Sequence, residues 1–316
     1  MMSRKKQYGF TLLETMISTV IFLVIASIVM SGMIQLLRAQ GTIANRTEMH
    51  TSVRSATELL QQEIGQAGRI SLPNTGAVGT GVTMTGPLVA NAVQTPAVSS
   101  TAGMFVGMLL DVDTGVNFEV VQLTGVTSST ITANFQNAHG ASIPVMASGS
   151  FGTGIIPPAA APASYLNGST GTVLKLYGDI NRDGNVLYVE YTCAPGTIGN
   201  PGYLYRNEMP AFTTVLKPPV SPSMYLLTNV LQNPSNAPCF TYQVQLANGQ
   251  YFVTDVAVTL TVQTPNKDPQ TNIYQQETKA LLNISPRNVF YVWELESINE
   301  VPRNQPIPLN VTALLQ

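Results

Sequence analysis

The sequence predicts an α+β protein: a long N-terminal helix packed on an antiparallel β-sheet head, with a small β module inserted into the head. Three observations carry this. An almost uncharged apolar run extends from Thr15 to Leu37. A three-and-four spacing of apolar residues then continues to Ala67. Beyond residue 100, short alternating segments rich in Val, Thr, Ile and Tyr are punctuated by Gly, Pro, Asn and Asp.

Thr15–Leu37 is 23 residues, about 35 Å as a helix and enough to cross a bilayer core of ~30 Å. Arg4, Lys5 and Lys6 precede it with no opposing acid, which holds the N-terminus on the cytoplasmic side and exports the rest. An ordinary secretory signal has a shorter apolar core, ~7–15 residues, and an Ala-x-Ala-like cleavage site. Ala39-Gln40-Gly41 fits that poorly. Glu14 stands alone at the mouth of the run. A charge near the centre of a spanning helix costs ~2.5–3.5 kcal/mol, so this carboxylate calls for a partner.

The helix is expected to span 10–70, with the transmembrane segment at 15–37. Met49, Val53, Ala56, Leu60, Ile64 and Ala67 line one face of its second half, and Arg54 and Glu58 pair on the other. Gly32 and Gly41 weaken it locally; Gly65 and Gly68 help end it before Pro73. The interval 71–100, rich in Gly, Thr, Val, Ala and Pro, reads as an irregular or loosely stranded linker. An inserted β module follows at 101–148, with strands at Met104–Asp111, Asn117–Leu123 and Thr130–Phe135. Its run from Glu119 to His139-Gly140-Ala141 resembles small β-modules of bacterial surface proteins, a likeness that implies no activity. A Pro/Ala/Gly-rich linker spans 149–171. The β-rich head spans 172–300, with strands at Val173–Tyr177, Val186–Thr192, Tyr203–Arg206, Met224–Val230, Phe240–Leu246, Tyr251–Val262 and Ile273–Ile284. The Pro-rich tail, 301–316, is expected to run over the surface.

Cys193 and Cys239 both fall in the exported part, where oxidising chemistry makes one disulfide the default. Asp179-Ile180-Asn181-Arg182-Asp183-Gly184 with Glu190 matches the twelve-residue calcium loop of an EF-hand. Its flanks alternate like strands, however, and an extended chain carries Glu190 about 17 Å away. A β-hairpin with Asp183-Gly184 at its turn is the preferred reading. A weaker calcium site from Asp179, Asn181 and Asp183 is the alternative, and no other cofactor is expected. His50 and His139 read as surface or satisfied histidines, Trp293 as a buried anchor for the last strand, and Glu294 with Glu296 as a solvated edge. No Gly-x-Ser-x-Gly, His-Glu-x-x-His or phosphate-binding loop occurs, so an enzyme is not expected.

Arg4-Lys5-Lys6, then Gly9-Phe10-Thr11-Leu12-Leu13-Glu14, then the apolar run resemble the N-terminus of the type IV pilin family. That family comprises pilins, minor pilins and the pseudopilins of type II secretion. The resemblance implies that 1–9 is a leader, that prepilin peptidase cuts between Gly9 and Phe10, and that Phe10 is N-methylated. It further implies that Glu14 neutralises the terminal amine of a neighbouring subunit, each charge offsetting the other's desolvation. Gln62–Gly68, Val189-Glu190-Tyr191, Gly202–Arg206 and Pro286-Arg287-Asn288-Val289 resemble segments of PilW-like minor pilins and the related J-type pseudopilins.

On that resemblance the chain is a minor pilin, held in the inner membrane with its head in the periplasm and then placed in an extracellular pilus filament. Its partners are prepilin peptidase, other pilins and minor pilins, the inner-membrane assembly platform and, before assembly, membrane lipid. Once the leader is removed, 12 basic residues face 17 acidic ones. This balance argues against a nucleic-acid surface. The alternatives are a J-type pseudopilin and a tethered binding protein that never polymerises. An exported hydrolase is a third class, for which the sequence offers no recognisable nucleophile or metal set.

Overall fold

A computed structural model describes residues 11–73, 81–159, 167–212, 217–299 and 303–314. The fold is α+β, as predicted. Helix α1 runs unbroken over Leu12–Gln66, 55 residues. The chain divides into two units: residues up to Thr51 with Thr264–Gln275, and Ser52–Gln263 with Gln276–Gln316.

In the first unit every residue from Thr11 to Arg38 is exposed. Thr15 Oγ1 donates to the Leu12 carbonyl (2.8 Å), Thr19 Oγ1 to Thr15 (2.7 Å) and Ser27 Oγ to Val24 (2.8 Å). Folding these hydroxyls back onto the helix lets an otherwise apolar surface carry them at little cost in lipid. Further along, the loop Thr264–Gln275 lies against the helical turn 41–46. Thr42 Oγ1 donates to Asp268 Oδ1 (3.1 Å), Asn45 Nδ2 to the Asn266 carbonyl (3.4 Å), and Arg46 Nε to Gln275 Oε1. Gly41 explains itself here: a Cβ on it would stand 3.0 Å from the Pro269 ring.

The second unit holds two antiparallel sheets. The larger uses β7 (Val173–Gly178), β8 (Leu187–Ala194), β9 (Gly202–Pro210), β10 (Tyr225–Leu231), β11 (Phe240–Ala247), β12 (Gln250–Gln263) and β13 (Gln276–Ile284). Its order is β11-β12-β10-β9-β8-β7, with β13 also paired to β12. The smaller sheet is ordered β1-β6-β3-β4-β5-β2, from β1 (Val82–Met84), β2 (Ala92–Gln94), β3 (Leu109–Val112), β4 (Glu119–Val126), β5 (Ile131–Phe135) and β6 (Ile143–Ala147). Strand positions follow the alternation in the sequence; in β5, for example, Ile131, Ala133 and Phe135 are buried.

The described parts of both segments expected as linkers are built into the structure. Residues 71–100 contribute β1, paired with β6, and β2, paired with β5. In 149–171, Phe151, Ile155 and Ile156 are fully buried. One apolar cluster runs from Val82 and Met108 through Phe135 and Phe151 to Tyr177 and Tyr188. The small sheet is therefore packed on the larger one rather than suspended between flexible arms.

The C-terminal region differs too. Arg287–Ser297 is a helix, α2, on which Val289, Val292 and Glu296 are buried at three-and-four spacing. Trp293 belongs to this helix and not to a strand, and Glu296 is no solvated edge: it accepts from Asn248 Nδ2 at 2.6 Å. Nor is the tail superficial. Gln305 is buried, its amide bonding the Leu109 N–H (2.9 Å), the Leu109 carbonyl (2.7 Å) and the Ser148 carbonyl (2.6 Å). A short helix, α3 (Leu309–Leu314), follows, with Val311 in the core.

Candidate functional site

Gly9 and Phe10 lie outside the described residues, as do Arg4, Lys5 and Lys6. The described chain opens at Thr11, whose carbonyl accepts the Glu14 N–H at 3.0 Å and the Thr15 N–H at 3.2 Å. Thr11 Oγ1 also approaches the Glu14 N–H, at 3.4 Å. Glu14 thus sits in the first turn of α1, where a negative charge complements the helix dipole. Its side chain is exposed and meets no cation among the described residues. The arrangement presents one carboxylate at the entrance of a 27-residue run, Thr11–Leu37, that is otherwise free of charge.

The helix's other half is used differently. Val53, Ala56, Leu60, Ile64 and Ala67 are buried, and Glu63 lies within the same stripe. Glu63 accepts from Tyr191 Oη at 2.6 Å and from Arg206 Nη2 at 2.5 Å. Burial and the adjacent Glu63 carboxylate push the Tyr191 hydroxyl far up, so it stays protonated and donating. In the sequence Glu63 falls within Gln62–Gly68 and has no assigned partner. The signal that marks it is an acid among apolar residues at helical spacing.

The Asp179–Asp183 segment closes the β7–β8 hairpin, whose last pair is Gly178–Leu187. Arg182 and Gly184 turn the chain at φ 62° and 83°. Asp179 is fully buried and accepts from Ser71 Oγ and the Asp183 N–H (3.0 Å), with Arg69 Nε at 3.8 Å. Asp183 Oδ1 accepts the Asn185 N–H at 2.9 Å, while Asn181 is exposed. Glu190 points elsewhere, to Tyr188 Oη (2.8 Å) and Lys217 Nζ (3.0 Å). Cys193 and Cys239 are joined as a disulfide.

His139 is buried between two carboxylates. Nδ1 is 2.9 Å from Asp113 Oδ2 and Nε2 is 2.6 Å from Glu119 Oε1. Glu119 also accepts the Gln136 N–H (2.7 Å) and the Asn137 N–H (3.2 Å). Burial pulls the imidazole down, but hydrogen bonds to Asp113 and Glu119 outweigh it and hold the ring above its ordinary value. This is a clamp that ties together the ends of β3, β4 and β5. Among the described residues no group of three or more His, Cys, Asp or Glu could hold a metal ion.

Residues 4–30 match the family model of the prokaryotic N-terminal methylation motif. The chain carries the N-terminal methylation motif. That motif is typical of type IV pilins and pseudopilins, and it covers Gly9, Phe10, Glu14 and the apolar run as far as Met30. Joined to a helix long and apolar enough to span a bilayer, the methylation motif makes this a membrane-anchored protein. The chain has no match among curated proteins or solved structures.

Proposed function

We propose that this chain is a minor pilin of a type IV pilus. Prepilin peptidase cleaves between Gly9 and Phe10, Phe10 is methylated, and the subunit enters a filament with other pilins through α1. The observation that carries the reading is the methylation motif set directly on a helix whose first half is exposed all round. A surface of that kind needs lipid or neighbouring helices to cover it. Glu14 supplies register, because in an apolar core it is stable only opposite a cation, and the new amine of a neighbouring Phe10 is such a cation. The protein's role is structural rather than enzymatic. The elaborate head, with two sheets sharing one core, suits a subunit placed near the filament tip or priming assembly, and the small sheet suits contact with a partner.

Mass spectrometry of the mature N-terminus, with and without the peptidase, tests the processing step. A peptide beginning with methylated Phe10, lost without the enzyme, is expected. An intact Met1 or Met2 start in both strains would overturn the proposal. Glu14→Ala should leave processing and membrane insertion intact while abolishing incorporation into sheared filaments. Incorporation at the wild-type level would remove the role assigned to Glu14.

A further inference from the structure

The loop Thr264–Gln275 combines internal order with a polar exterior on which Lys267 and Ile273 stand exposed. Asp268 organises it: besides Thr42, its carboxylate accepts the Gln270 N–H (2.7 Å), the Thr271 N–H (3.3 Å) and the Gln275 side-chain amide. Main-chain bonds from Asp268 N–H to Ile273 O (3.0 Å) and Asn272 N–H to Asp268 O (2.8 Å) close the turn, with Asn272 at φ 56°. The hydrogen bonds from Gln270 and Thr271 hold Asp268 below the usual carboxylate range, so it stays an acceptor. Outside this scaffold Ile273 is 64% exposed, and so is Ile43 on the adjacent helical turn. Lys267 is exposed with its Nζ 5.8 Å from the centre of the Tyr274 ring, and Arg38 and Arg46 are exposed on α1.

The position along the helix says what covers these groups. The apolar run ends at Leu37, and the loop is fastened at Gly41 and Thr42. Four to five residues at ~1.5 Å each place the fastening about 6–8 Å beyond the run. The headgroup layer on each side of a bilayer is about 5–8 Å deep, given a core of ~30 Å and a total of ~40–45 Å. Tyr, Lys, Arg and an exposed aliphatic residue are the side chains that suit that layer, with apolar parts inward and charges at the phosphates. From these observations we infer that Thr264–Gln275 is a membrane-interface anchor. Before assembly it lies in the phospholipid headgroup layer, with Ile273 inserted and Lys267 and Arg38 facing lipid phosphate. The inference rests on α1 spanning the bilayer and is independent of polymerisation.

The test uses the full-length chain in vesicles of phosphatidylethanolamine and phosphatidylglycerol, with an environment-sensitive fluorophore on Ile273→Cys, Val116→Cys or Ile21→Cys. Val116, 98% exposed, is the water reference, and Ile21 lies within the apolar run. Spin-labelled headgroups should quench the label at 273 at least threefold more than the label at 116. Acyl-chain spin labels should quench the label at 21. Equal quenching at 273 and 116, with 21 quenched in the bilayer, overturns the anchor while leaving the spanning helix intact. It would then assign the loop to water or to another protein chain. An unquenched label at 21 overturns the premise and the anchor together. Lys267→Glu should reduce quenching at 273 more in these vesicles, where phosphatidylglycerol adds net negative charge, than in zwitterionic phosphatidylcholine; no reduction in either would remove the phosphate pairing.

Discussion

Arg206 of β9 holds Glu63 of α1 through two nitrogens, Nη2 2.5 Å from Oε1 and Nε 3.1 Å from the same oxygen, where the Glu63 side chain is only 5% exposed. Tyr191 of β8 completes the site from the other oxygen. Removing Glu63 would leave the buried Tyr191 hydroxyl without its acceptor and Arg206 with Glu208 alone, 2.7 Å from its Nη1. Glu63→Ala should therefore destabilise the protein by about 2 kcal/mol, the usual cost of leaving a buried hydrogen-bonding group unsatisfied. The measurement is the urea midpoint of the full-length chain in detergent, with an unchanged slope. A loss below ~1 kcal/mol would mean that water reaches Arg206 and the pair is effectively a surface one.

Two nearby glycines should respond with opposite signs. Gly65 lies inside α1, and a Cβ there meets nothing within 4 Å. Gly65→Ala should stabilise by up to about 1 kcal/mol through helix propensity. Gly68, just past the end of the helix, has φ +79°, and a Cβ would fall 2.5 Å from the Phe151 carbonyl oxygen. Gly68→Ala should cost roughly 1–3 kcal/mol, from the left-handed backbone and the displaced 151–154 segment. Thermal unfolding of both variants decides it, and shifts of the same sign would contradict the assignment of the helix terminus.

The sequence shows the helix clearly because its signal is local: an apolar run, then a stripe at helical spacing. Strands β7 to β13 are legible for the same reason, since each carries its own short run of Val, Leu, Tyr or Phe bounded by turn residues. What escapes is held from a distance. β1 and β2 are three residues each and exist because β6 and β5 supply hydrogen-bond partners some forty to sixty residues away. Gln305 is buried because Leu109 and Ser148 present backbone groups to it. Helix α2 was legible in part, as Val289, Val292 and Glu296 already show helical spacing, but the aromatic run Phe290-Tyr291 favours a strand. At the site, Glu14 stands out as a solitary charge. The partners of His139 do not, because Asp113, Glu119 and His139 meet only once the small sheet has formed.

The His139 clamp predicts a pH dependence. Its folded pKa lies above the ordinary value, so its contribution is full below about pH 6.5 and is lost as pH rises through the raised value. Asp113 runs the other way. A hydrogen bond from His139, then one from the Thr114 N–H, hold it low, so its share is present above about pH 4 and disappears on acidification through the lowered value. His139→Gln should cost about 2 kcal/mol near pH 5.5, the usual worth of hydrogen bonds to a charged group. The difference in melting temperature from wild type should shrink steadily towards pH 9. A difference that stays constant across that range would show that the ring is neutral and contributes packing alone.

The disulfide acts at the closing edge of the larger sheet. β7 and β11 are the two ends of the pairing path, yet Tyr242 of β11 donates to the Thr170 carbonyl (2.9 Å) and to Val173 of β7 (3.1 Å), and the Phe240 N–H reaches Gly171 at 3.0 Å. The sheet therefore curls until its ends meet. Cys193 on β8 and Cys239 just before β11 bridge that seam, 46 positions apart in sequence. Cross-linking a loop of this length stabilises by about 2–4 kcal/mol, chiefly by restricting the unfolded chain. Replacing both cysteines by serine should lower the urea midpoint accordingly. It should also raise amide exchange along β7 and β11 more than along β9 and β10, which lie mid-path and keep both neighbours. Both sulfurs belong to residues only 3% exposed, so reductant without denaturant should act slowly. Uniform acceleration of exchange across all seven strands would instead mean that the bridge works through the unfolded state alone and leaves the seam no weaker than the rest of the sheet.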